Sequence, residues 1–126
     1  MKLTGRFKIS LNPQNDEDFP AGRMTFDKEY LGDMNGVGKG QMISKRNEGD
    51  VAVYYAIEEF SGSVSGRNGS FTLLHQGQMS KSAQLLKVVI MEGSGEGNLE
   101  GISGSLAITQ DEEGHTYALD YQLASA

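Results

Sequence analysis

GSGEGNLEGISGS, Gly93 to Ser105, sets a glycine at every second to fourth position between two runs of alternating apolar and polar residues. Glycine reaches backbone conformations that other residues avoid. Glycines at this density between alternating runs therefore mark the turns, bulges and sharp bends of a β-structure.

The flanking segments follow the same grammar. Upstream, Leu85 to Met91 reads as a strand; downstream, strands are expected near Ser105 to Thr109 and, after the turn DEEG, from Thr116 to Leu123. At the start of the chain Leu3, Phe7, Ile9 and Leu11 alternate with Thr4, Arg6, Lys8 and Ser10. A loop at Asn12 to Gly22 holds both prolines, and further strands are predicted at 23–31, 37–44, 51–60 and 70–79, with a short one near Val64. No stretch has a sustained helical period, and no composition break divides the chain. Seven to nine strands at spacings near ten residues predict one all-β domain over residues 1–126, a small antiparallel β-barrel of about eight strands. The glycines favour a barrel over a sandwich, because the corners of small barrels need residues without a Cβ.

Charge narrows the partners. Eleven Lys and Arg against 17 Asp and Glu leave a net charge of −6, with the cations scattered. Neither nucleic acid nor an anionic membrane is an expected partner, since both need clustered cations. There is no cysteine, which excludes disulfides and thiol chemistry. MKLTGRFKIS reads as an amphipathic strand rather than a signal peptide, so a cytoplasmic location is expected.

Four stretches carry a resemblance: GRMTFDKEYLGDMNGVGKG from Gly22, AIEEFSGSVSGRNGSFTLLHQGQM from Ala56, the glycine-rich segment itself, and HTYALDYQL from His115. Together they resemble a family of small bacterial proteins classed as a domain of unknown function, similar in fold to the allene oxide cyclase barrel. Gly95 to Gly101, through Gly104, also looks like the Gly-x-Gly-x-Phe/Leu-x-Gly segment of allene oxide cyclases and dirigent proteins. The resemblance implies an eight-stranded antiparallel barrel able to enclose a ligand. It implies no activity, and outside the glycine segment the departure from allene oxide cyclase is broad. GEGNLEG is not read as a phosphate loop, because the strand-to-helix context is missing.

Strand parity isolates the candidate residues. Met24, Phe26, Lys28 and Tyr30 share one face of their strand; Tyr54, Ala56, Glu58 and Phe60 share another; Phe71, Leu73, His75 and Met79 a third. Lys28, Glu58 and His75 are each the lone ionisable group on a mainly apolar face. Pointing inward, they would form a Lys28–Glu58 pair with His75 as hydrogen-bond partner, since buried charges must be paired. Such a cluster serves either as a satisfied network fixing strand register or as the polar grip of a ligand site, with acid/base catalysis a third use. Tyr54 lies on the Glu58 face. His115 falls at a strand end near a barrel mouth, as a turn residue or a ligand contact. Arg67 in SGRNGS is either solvated or poised over an opening to pair an anion. No nucleophile elbow, metal signature or cofactor motif is present in the sequence, so no metal or cofactor is expected.

Both faces of Leu85 to Met91 are apolar apart from Lys87, although an outer barrel strand should keep a wet face. A homodimer or higher symmetric oligomer covering that face is expected. The function that follows is a non-enzymatic binding module for a small, largely apolar ligand in the barrel. The alternatives are an isomerase or cyclase acting on a hydrophobic substrate there, and a structural or protein-interaction barrel. A barrel packed solid by Met24, Phe26, Phe71, Leu73 and Tyr121 would favour the last of these.

Overall fold

Alternation resolves into nine strands in a computed structural model that describes residues 1–112 and 114–123. They are β1 (Lys2–Pro13), β2 (Gly22–Gly32), β3 (Met34–Arg46), β4 (Ala52–Val64), β5 (Arg67–Met79), β6 (Gln84–Ile90), β7 (Glu96–Gly97), β8 (Ser103–Asp111) and β9 (Gly114–Gln122). No helix occurs among the described residues. The sheet order is β4-β3-β2-β1-β9-β8-β6-β5, every pairing is antiparallel, and β4 pairs β5 from Ala52↔Met79 to Val64↔Arg67. That last pairing closes eight strands into a barrel and removes the free edges of the sheet. β7 is an addition, held on β5 by Gly69↔Gly97 and Ser70↔Glu96.

Several connections are tighter than the sequence suggests. The gap between the strands predicted at 23–31 and 37–44 shrinks to a corner at Asp33, with Gly32 at φ 106°. Tyr117 braces this corner: its phenol donates to the Leu31 carbonyl at 2.9 Å and accepts from the Met34 amide at 2.8 Å. The short strand predicted near Val64 is the end of β4. It turns into β5 through Ser65 and Gly66 alone, both at positive φ (49° and 83°), the geometry that continues strand twist through a two-residue hairpin.

The inward faces set up a barrel with two unlike ends. At one, the glycine-rich segment folds over the opening and inserts Leu99 and Ile102 beside Met34 and Val64, all fully buried. Phe26, Phe71, Leu73 and Tyr121 are buried too, and Met24 only half so. At the other end the inward residues Ile9, Met42, Tyr54 and Ile108 are half-buried, and Leu86 is exposed. One seam of the wall is thin. β6 and β8 meet in register at Val89↔Ser105, whereas β5 and β6 are laddered from Leu73↔Ile90 to Met79↔Gln84. Beyond that single pair the N-terminal half of β6 stands exposed, from Gln84 to Lys87.

Candidate functional site

Lys28 on β2, Glu58 on β4 and His75 on β5 meet inside the barrel, as strand parity predicts, and all three are buried. What lets them meet is the strand between. β3 faces inward at Gly38 and Gly40, which pair with Lys28 and Glu58 respectively. With no side chains at these positions, a carboxylate on β4 reaches an ammonium on β2 across β3. A Cβ on Gly38 would stand 2.1 Å from Glu58 Oε2, and one on Gly40 would strike the Phe26 ring.

Glu58 is the hub. Its Oε1 accepts from Lys28 Nζ at 3.0 Å and from His75 Nε2 at 2.8 Å, while Oε2 accepts from the Tyr30 phenol at 2.5 Å. Burial by itself would raise the Glu58 pKa. The His75 hydrogen bond, the Lys28 charge and the Tyr30 hydrogen bond together outweigh it and hold the carboxyl below its ordinary value. An ionised Glu58 requires that His75 Nε2 carry the proton between them. Burial, followed by the Glu58 charge and hydrogen bond, pushes the Tyr30 phenol far up, so it is a fixed donor.

Aromatic rings complete the enclosure. The Lys28 ammonium lies 4.7 Å from the Phe7 ring centroid and 5.4 Å from that of Phe26, which also meets His75 edge-on. Cation–π contacts of this kind partly replace lost hydration. Among the described residues no buried side-chain nitrogen or oxygen lacks a hydrogen-bond partner.

The other sequence candidates divide. His115 stacks on the Phe7 ring, centroid to centroid 5.0 Å, and is half-buried. Tyr54 lays its ring over Gly77, where a Cβ would collide with it, and burial raises its phenol pKa. Arg67 stands apart: it is exposed beside Val64 at the plugged end, away from the cluster. Tyr30 was readable as a same-face neighbour of Lys28 but not as the third donor to Glu58. The alternating glycines of GVGKG, Gly36 to Gly40, were the signal for a bare inner strand face. Among the described residues no three His, Asp or Glu side chains converge as metal ligands would.

The chemistry available is limited by burial. Glu58 is 0% exposed with both oxygens engaged, so it cannot reach a substrate. Lys28 and His75 are buried too, with 5% and 7% of their surface exposed. A groove of about 580 Å³ crosses the wall from β3 to β6, lined by the outward side chains Ile43, Tyr55, Ile57 and Leu74 and reaching Met42, Ala56 and His75 as well.

The comparisons agree with this architecture. A family described as "Protein of unknown function (DUF3224)" matches residues 3–121. A crystal structure of a protein of unknown function from that family, from Shewanella oneidensis MR-1, is 33% identical to this chain. The match covers 100% of this chain and 98% of the other, with a TM-score of 0.92. No curated protein matches.

Proposed function

The chain belongs to the DUF3224 family of proteins of unknown function, and from that footing we propose that it is a non-enzymatic binding module for a small, largely apolar molecule. The molecule enters the unplugged end of the barrel. The observation that carries this reading is the asymmetry of the interior: one end is sealed by Leu99 and Ile102, while the ionisable layer faces the end left open. Met24, Met42, Leu86 and Ile108 offer the apolar contact, and the thin β6–β8 seam widens the entrance beside Leu86. His75 and His115 supply hydrogen bonds for one polar group, and small barrels of eight strands hold a single small ligand in this manner.

The sequestration of Glu58 argues against proton transfer to a substrate, and therefore against the isomerase or cyclase reading. The segment most like allene oxide cyclase, Gly95 to Gly101, belongs to the plug at the far end from this mouth, so the likeness supports a shared barrel corner rather than shared chemistry.

Anilinonaphthalene sulfonate, an apolar ring system with one anion, is a suitable probe. Its fluorescence should rise on mixing with the protein, and Met42→Lys in the mouth should abolish the rise. Ile57→Lys on the outer wall should leave it intact. No rise, or a rise lost only with the outer variant, would overturn the reading.

A further inference from the structure

The outer wall of β3 to β6 carries more apolar surface than strands facing water need. Ile43, Tyr55, Ile57 and Leu74 project outward there, 49%, 50%, 61% and 36% exposed. Register sets them side by side with half-buried Val89: Ile57 pairs Leu74, Leu74 pairs Val89, and Ile43 pairs Tyr55. Together they line the groove of about 580 Å³. A monomeric surface scatters such side chains singly; a contiguous set marks a contact surface.

Charge indicates what makes the contact. Glu59 lies two residues beyond Ile57 on β4, and Lys87 two residues before Val89 on β6. β4 and β6 both run antiparallel to β5, so the two charges leave the apolar row in opposite directions. The remaining outward charges follow the same division. Asp27 and Glu29 on β2 lie toward the Glu59 end, with Lys39 among them. Arg23 and Lys45 lie toward the Lys87 end. Arg23 is held by Asp16 at 2.7 Å, which leaves Lys45 and Lys87 as the cations open to a partner. On its strands the face is thus apolar in the middle, cationic at one end and mainly acidic at the other, while the turns beside the cationic end carry acids of their own, among them Asp16 held by Arg23 and Asp50 held by Lys81.

We propose that a second copy of this chain docks here, face to face, about a two-fold axis lying in the interface across the strands near Ile57. Such an axis inverts the strand direction, so each copy sets its cationic end on the acidic end of the other and Ile57 meets Ile57. A surface bearing both signs in this inverted arrangement is complementary to itself. An anionic partner such as nucleic acid would be repelled by the Asp27 and Glu59 end. Leu85 and Val89, whose outward apolar faces motivated the expectation of an oligomer, lie at the border and within this surface respectively. The proposal does not rest on the ligand reading, although the groove also reaches Met42 and His75.

Sedimentation velocity on the full chain across the micromolar range tests it. A concentration-dependent dimer is expected. Ile57→Lys, at a position too exposed to disturb the core, should weaken it by about tenfold or more. Two charge variants sharpen the test: Lys45→Glu with Lys87→Glu, and Asp27→Lys with Glu59→Lys. Each alone should be monomeric, because like charges then meet at both ends, and an equimolar mixture should restore the dimer. Circular dichroism melts confirm that each variant is folded. A wild-type monomer throughout, a dimer indifferent to Ile57→Lys, or folded charge variants that fail to associate when mixed would each overturn the proposal.

Discussion

Glu58→Gln keeps the shape of the hub and removes its charge, which leaves Lys28, 5% exposed, without a counter-ion in the barrel interior. Breaking a buried pair by removing one partner costs about 3–5 kcal/mol, because the remaining charge must be desolvated unpaired. The amide retains acceptor capacity at one oxygen only, so one of the donors Tyr30 and His75 is also orphaned, and the cost should fall in the upper part of that range. At roughly 3–6 °C per kcal/mol for a domain of this size, the melting temperature should drop by about 12–30 °C. Lys28→Met alone leaves an ionised Glu58 still held by His75 and Tyr30, and should cost less. The double variant should cost less than the sum of the two singles by at least about 1 kcal/mol, since the couple is removed as a unit. Urea unfolding of the four proteins provides the cycle. Single costs that add within about 0.5 kcal/mol would refute the coupling, and with it the account of Glu58 as hub.

Three more expectations follow from the same geometry. Gly38→Ala should destabilise by about 1–3 kcal/mol, since its Cβ would displace the buried Glu58 carboxylate; a neutral effect in urea unfolding would deny that β3 must be bare. Leu99→Ala should cost about 2–5 kcal/mol by opening a cavity in the plug, while an unchanged midpoint would mean that the glycine-rich segment does not seal the barrel. As for pH, the Glu58 pKa is lowered in the folded state from an ordinary value of 4.5. The unfolded chain therefore binds more protons, and the Glu58 contribution is complete above about pH 4.5 and lost as pH falls through the folded pKa. Thermal melts should show this acid decline in the wild type and a shallower one in Glu58→Gln; identical slopes would contradict it.

Much of the barrel was legible in the primary structure, because the cues are local. A strand alternates with period two, so Lys28, Glu58 and His75 announce their inward faces through Phe26, Phe60 and Leu73 two residues away. Glycine spacing likewise announces corners, since a residue without a Cβ is needed wherever strands bend sharply or cross closely, as at Gly5, where a Cβ would collide with the Tyr117 phenol. Parity, however, says which way a side chain points and not what stands opposite. That Lys28 and Glu58 touch depends on the register of β2 and β4 across the bare face of β3. That Tyr30 joins them depends on the same reach across β3, past Gly38. Closure decided more still: β1 had to pair β9, Lys2 with Asp120 and Phe7 with His115, and the glycine-rich segment had to fold back on Gly69 and Ser70, before one end could be sealed and the other left open. These are contacts between residues tens of positions apart, set by the packing of the whole barrel, and no local pattern encodes them.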